Sequence, residues 1–177
     1  LIRPNRRRLP RKERRLIEMR NRIYVSVQDG MDAPSWIENV SPFMEKAAGA
    51  LELDGEEISV MFCGDSMIRE LNSRFRQIDS ATDVLSFEDG GTYADEEGEW
   101  RCMGDIVISL ETLPVNSEYF DENKDSELKR LLVHGLLHLN GMDHGDEHIE
   151  KDRAPDSEML VLQEKVLENL RNDKIIL

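Results

Sequence analysis

Hydrophobic and polar positions change their period several times along the chain, and each change predicts an element. Ile23 to Gln28 alternates, which reads as a first strand. Behind Ser35, a capping residue, come Trp36, Ile37, Val40, Phe43, Met44, Ala47, Ala48 and Leu51 at helical spacing. They predict a helix over about 36–53. Pro42 lies within it, so a break or a second start at Ser41 is expected. Asp54-Gly55 is a turn, and Glu57 to Cys63 alternates as a second strand. Asp65 or Ser66 then caps a helix with Met67, Ile68, Leu71 and Phe75 on one face. Val84 to Phe87 and Met103 to Ser109 read as third and fourth strands. Between them the acidic, Gly-rich segment 88–100 reads as a solvated hairpin loop.

The next helix is the most informative. With Ser126 as its predicted N-cap, Leu128, Leu131, Leu132, Gly135, Leu136 and Leu139 follow one helical stripe. Val133 and Leu137 lie opposite, so this helix is apolar nearly all round and belongs at the centre of the fold. Asn140-Gly141 ends it, glycine being free to take the left-handed conformation. A last amphipathic helix is predicted from near Pro155, with Met159, Leu160, Leu162, Val166, Leu167 and Leu170. The order predicts an α+β fold: a small mixed four-stranded sheet packed with about five helices.

At 177 residues the chain has the length of one domain, and no apolar run approaches the ~18 residues of a membrane-spanning helix. The two cysteines, Cys63 and Cys102, form no CxxC pair and read as small buried hydrophobes in strands, as suits a reducing compartment. These features imply a soluble, intracellular protein. The net charge of −14 hides two opposed parts, because residues 1–20 carry +7 and residues 21–177 carry −21. Residues 1–18 are expected to be a basic arm outside the folded unit, with Met19 a candidate initiator and 19–177 a single domain. The alternative is a nucleic-acid tail. A strongly acidic body repels polyanions, so any nucleic-acid substrate would need a local basic site or a partner to deliver it.

All four histidines fall between positions 134 and 148. His134 and His138 stand four apart on the central helix, about 40° apart in rotation and one turn along it, so both rings can reach one ion. Gly141 reverses the chain and returns His144 to the same side. HGLLHLNGMDH thus fits H-x-x-x-H-x-x-G-x-x-H, the zincin-like spacing of a three-histidine metal site with an open coordination position. His148 reads as a solvated loop residue, and Asp143 as the shaper of the turn. A zinc protease of this spacing carries Glu directly after the first histidine, as the base for the metal-bound water. Here that position is Gly135, so peptide hydrolysis lacks a working part, whereas phosphodiester cleavage depends less on that base.

The string HGLLHLNGMDH closely resembles the HGxLHLxGxDH signature of the bacterial YbeY family of metal-dependent rRNA-maturation endoribonucleases. Leu71-Asn72-Ser73-Arg74-Phe75-Arg76, Thr82-Asp83-Val84-Leu85-Ser86-Phe87 and Gly104-Asp105-Ile106-Val107-Ile108-Ser109 extend the resemblance over about residues 22–170. It implies His134, His138 and His144 as ligands of one divalent metal, zinc before others, and His134 and Arg76 as catalytic residues, with Arg76 gripping a phosphate. It further implies a cytoplasmic, single-strand-specific endoribonuclease acting in small-subunit (16S) rRNA 3′-end maturation and ribosome quality control. Ribosomal RNA and the small ribosomal subunit, or one of its proteins, are the implied partners. Either water or a ribose 2′-hydroxyl can serve as nucleophile. A metalloprotease-like hydrolase and a non-catalytic assembly factor with a structural metal remain as alternatives. Two positions depart from the family pattern: Ala81 replaces a common Pro, and Pro114 should shorten the helix expected within 111–125. Arg69 and Arg74 read as surface charges, Asp83 and Asp105 as backbone-capping carboxylates, and Met159 as core.

Overall fold

The computed structural model describes residues 20–145 and 155–177. The basic arm 1–18, Met19 and His148 therefore lie outside the described residues. Five strands form one mixed sheet: β1 (Arg22–Val27), β2 (Glu56–Cys63), β3 (Val84–Glu88), β4 (Thr92–Ala94) and β5 (Glu99–Ser109). Their order is β1-β2-β5-β3, with β4 also paired to β5. The β1/β2 and β2/β5 ladders are parallel, and both β3 and β4 run antiparallel to β5. The α+β expectation holds, with five strands in place of four.

The extra strand arises in the segment expected to be a solvated loop. Two of its acidic residues pair with a cation from another strand, which local composition does not reveal. The Arg22 guanidinium from β1 pairs with Asp95 at 2.6 Å and Glu97 at 2.5 Å, and lies 3.9 Å from the centre of the Trp100 ring. The Asp95 carboxylate accepts hydrogen bonds from the backbone of Glu97 and Gly98 and from the Trp100 indole, which closes the hairpin. β5 consequently starts at Glu99, four residues earlier than expected, with Trp100 buried.

Five helices are present among the described residues: α1 (Val40–Ala50), α2 (Asp65–Arg76), α3 (Thr112–Phe120), α4 (Lys124–Leu139) and α5 (Glu158–Asn169). A single 3-10 turn, Ile37–Asn39, leads into α1. The expected second start comes at Val40, one residue before Ser41, and Pro114 lies within α3. Pro42 and Pro114 each occupy the third position of a helix, where the missing N–H has no intrahelical acceptor to lose. Several starts shift from those expected. α2 is capped at Gly64, and α4 at Asn123, whose side chain accepts from the backbone of Ser126. α5 begins after Ser157, which accepts from the backbone of Leu160.

Alternation along the strands divides the interior in two. Ile58, Val60, Phe62, Ile106 and Ile108 face a large core shared with α1 and α4, which includes Leu113, Met159 and Val166. Val107, Leu85 and Cys63 face the other way and pack with Ile68. Met159 is fully buried, and Cys63 and Cys102 are free thiols, the first buried and the second partly so. From Leu131 to Leu139, His134 and His138 alone are not buried. No helix among the described residues is long and apolar enough to cross a membrane.

Gly135 sets the depth of α4. A Cβ there would stand 2.7 Å from Cγ2 of Ile106 on β5. Gly135→Ala should therefore destabilise the fold: overpacking costs about 1–3 kcal/mol, against roughly 1 kcal/mol of improved helix propensity. A net loss of about 1 kcal/mol in denaturant unfolding is expected, and a more stable variant would show that α4 has room to withdraw.

Asp125, in the first turn of α4, anchors the C-terminus. Its Oδ1 accepts from the backbone of Ile175 at 2.7 Å and Ile176 at 2.9 Å, and its Oδ2 faces Lys174 at 3.3 Å and Lys129 at 3.6 Å. Burial pushes the carboxyl's pKa up, but the two N–H groups and two ammonium groups outweigh it, so the net shift is downward. A lowered folded-state pKa contributes stability above the unfolded value of about 3.9, lost as pH falls through the folded value. Asp125→Asn should cost about 1–3 kcal/mol at pH 7, and the gap to wild type should narrow below about pH 3.9. A gap that persists unchanged at pH 2 would contradict ionic anchoring.

Candidate metal centre

The end of α4 and the turn after it build the site. Gly141, with φ +75°, closes the helix: its N–H donates to the carbonyl of His138 at 2.8 Å, and that of Met142 to Leu137 at 3.1 Å. These paired bonds form a Schellman termination. The chain is thereby reversed, and Asp143 shapes the next turn by accepting from the backbone of Gly145 at 3.0 Å. His144 returns beside the two helical histidines. The ring centroids of the three lie 4.6, 5.1 and 5.2 Å apart, and one nitrogen from each lies within 4.8 Å of the others.

Hydrogen bonding assigns the tautomers of two rings. Nδ1 of His138 lies 3.0 Å from the carbonyl oxygen of Met142, an atom that only accepts, so the proton sits on Nδ1. Nδ1 of His134 lies 2.9 Å from Oε1 of Gln163 on α5, whose amide nitrogen donates to Glu164 at 3.3 Å. That amide orientation makes Oε1 the acceptor and places a proton on Nδ1 of His134 as well. The two Nε2 lone pairs then face each other across 3.1 Å. Bare lone pairs at that separation repel, and a shared cation turns the repulsion into ligation. Tetrahedral zinc with Zn–N bonds of 2.0–2.1 Å spaces its ligand nitrogens about 3.4 Å apart, close to what is seen here. The donor set therefore fits a divalent metal.

Burial prepares the rings electrostatically. It pushes the His134 pKa down to about 4 and that of His138 in the same direction. Mutual repulsion among the histidines adds to both shifts, as does Arg130 for His134 and Arg76 for His138. At neutral pH these two rings are neutral, the form that ligates.

The histidines line a cavity of about 730 Å³ with Arg76, Asp83, Glu88, Tyr119, Phe120 and Arg130. Arg76, the last residue of α2, reaches it from the opposite side of the fold and is exposed. Arg69 is instead held by Asp79 through two hydrogen bonds, and Arg74 does not line this cavity. Asp83 accepts from the backbone of Val84, as expected of a capping carboxylate. It also accepts from Asn116 on α3 at 2.9 Å and lies 3.5 Å from Arg130 on α4, tying the turn before β3 to two helices. Asp105 does not cap. It sits in the middle of β5, opposite Ser59 and Phe87, exposed beside a second cavity lined by Phe75 and Phe87.

Two residues of the site were missed by sequence reasoning, although each left a trace. Gln163 is fully buried and the only amide on the apolar stripe of α5, so a polar residue on a core face was its signal. Arg130 stands four residues before His134, on the same face. Burial works against its charge, but Glu127, through two hydrogen bonds, and Asp83 keep its pKa raised.

An α+β sheet with a three-histidine cluster at the end of its central helix defines the class: proteins built to hold one metal ion beside an open cleft. The family model described as Endoribonuclease YbeY matches residues 23–171, and the chain belongs to that family. Endoribonuclease YbeY of Treponema denticola is 48% identical over 161 residues, covering 89% of this chain and 98% of the relative. The Aquifex aeolicus protein of the same name is 38% identical over 132 residues, covering 73% and 85%. A solution structure of the Thermotoga maritima protein TM1509 aligns with a TM-score of 0.53 at 26% identity, covering 85% of this chain and 92% of the other.

The hydrogen bond from His134 to Gln163 should orient the ring for ligation. Gln163→Leu is expected to weaken zinc affinity by roughly 10- to 100-fold, read by competition with a chelating dye. Unchanged affinity would mean that His134 needs no partner on α5.

Proposed function

We propose that this chain is a metal-dependent endoribonuclease that cuts single-stranded RNA, with His134, His138 and His144 holding the metal. The observation that carries the reading is the convergence of three imidazoles on the cavity that Arg76 also lines. A divalent cation, zinc before others, would supply Lewis-acid polarisation of a phosphate oxygen and a bound water of lowered pKa. The names of the relatives support RNA as the substrate class.

The chain's own residues do the remaining work. Arg76 is exposed and free to turn its guanidinium to a phosphate, offering two parallel hydrogen bonds and balancing the charge that develops during cleavage. Gln163 and the Met142 carbonyl hold two imidazoles in the ligating tautomer. Gly135 faces β5 and leaves no carboxylate at the position a peptide hydrolase would use, which favours phosphodiester over peptide cleavage. The biological role we infer is 3′-end maturation of the small-subunit rRNA and ribosome quality control in the cytoplasm. The acidity of the chain argues for a small-subunit protein partner that presents the RNA.

The test is incubation of purified protein with a precursor of the small-subunit rRNA 3′ region. Wild type, wild type with chelator, His138→Ala and Arg76→Ala are compared from identical preparations. Specific cleavage should vanish with chelator and in His138→Ala, and should fall about 10²-fold or more in Arg76→Ala. Equal cleavage in all four would identify a contaminating nuclease. Loss of melting temperature in His138→Ala with no specific cleavage by any sample would instead favour an assembly factor with a structural metal.

A further inference from the structure

Tyr119 and Phe120, at the end of α3, line the same cavity as the histidines and Arg76, yet neither has a part in holding a metal or balancing charge. Tyr119 is 74% exposed, an unusual state for so large an aromatic side chain beside a cleft. Its ring meets Phe120 edge to face, with centroids 5.0 Å apart and planes at 85°. Phe120 is half-buried and is backed by the Arg130 guanidinium at 5.2 Å. That guanidinium is fixed by two hydrogen bonds to the buried Glu127, so the corner has a rigid support. Among the described residues, Tyr119 makes no hydrogen bond and no ring contact other than that with Phe120.

An exposed ring on an anchored corner, sharing a cleft with a cation that can hold phosphate, suits one kind of group above others. Unpaired bases splay from single-stranded RNA and stack on aromatic side chains, while the backbone follows positive charge. The cavity, about 730 Å³, is far larger than an ion and one phosphate require. We propose that Tyr119, braced by Phe120, is a stacking platform for one unpaired base of the RNA strand whose scissile phosphate lies at Arg76. The proposal rests on the endoribonuclease reading and deepens it. It supplies a physical origin for single-strand preference, because a paired base keeps both faces within its own stack.

The experiment uses the full-length, metal-loaded protein and a short unstructured RNA, cut by wild type, Tyr119→Ala and Tyr119→Phe. The RNA carries 2-aminopurine, or an abasic nucleotide, at each position in turn. Tyr119→Ala should raise KM roughly tenfold with kcat little changed, and should lose the 2-aminopurine quenching at one position. Tyr119→Phe should behave as wild type, because stacking uses the ring and not the hydroxyl. An abasic nucleotide at the quenched position should make wild type and Tyr119→Ala equal, a coupling that a merely structural role would not produce. Wild-type KM in Tyr119→Ala, or a defect indifferent to the abasic position, would overturn the platform and leave the endoribonuclease reading standing. RNA that no protein, wild type included, binds or cuts would overturn both.

Discussion

The contact between Gly135 on α4 and Ile106 on β5 governs the rest of the structure. Without a side chain at Gly135, the helix lies deep enough on the sheet for leucines on both of its sides to be buried. A helix so enclosed cannot rotate without exposing part of that apolar surface, at about 25 cal/mol per Å². The direction in which His134 and His138 point is thus set by packing. The same glycine removes the carboxylate that this ligand spacing carries in peptide hydrolases, so one close approach fixes the geometry and narrows the chemistry.

Around that helix, charge is managed locally. The chain is acidic, yet the cavity draws on two cations in different states. Arg130 is committed to Glu127 and Asp83 and behaves as a strut between α3, α4 and the turn before β3. Arg76 stands exposed at the end of α2, available to an anionic ligand. Burial favours the neutral, ligating form of His134 and His138. The acidic hairpin between β4 and β5 obeys the same logic. Two of its carboxylates are compensated by Arg22, and a segment that stays exposed to solvent still forms a strand.

The family resemblance and the site were legible from local signals. Four-residue spacing on a helix brings two imidazoles to one side, and Asn140-Gly141 announces the turn that returns His144. The central position of the helix followed from apolar residues on both of its faces. The second start expected at Ser41 came one residue earlier, at Val40, because a proline suits the first turn of a helix. At the third residue of α1 and of α3 a missing N–H costs almost nothing, and a start can be misplaced by that much. Asp105 was misread because a carboxylate near a turn in the sequence proved to be mid-strand, on a face left open beside the second cavity.

What the sequence determined by itself was whatever depends on neighbours a few residues apart: helix and strand periods, the helix-ending glycine, and the spacing of three candidate ligands. These follow from backbone geometry, which repeats every 3.6 or 2 residues and leaves its period in the chain. Tertiary structure decided the partners. Gln163 reaches His134 across 29 positions, Arg22 reaches Glu97 across 75, and Arg76 meets the histidines only because α2 and α4 end beside one cavity. The exposed corner of Tyr119 and Phe120 also took its meaning from that cavity. No period records such pairings, because they are made by the packing of whole elements around the sheet.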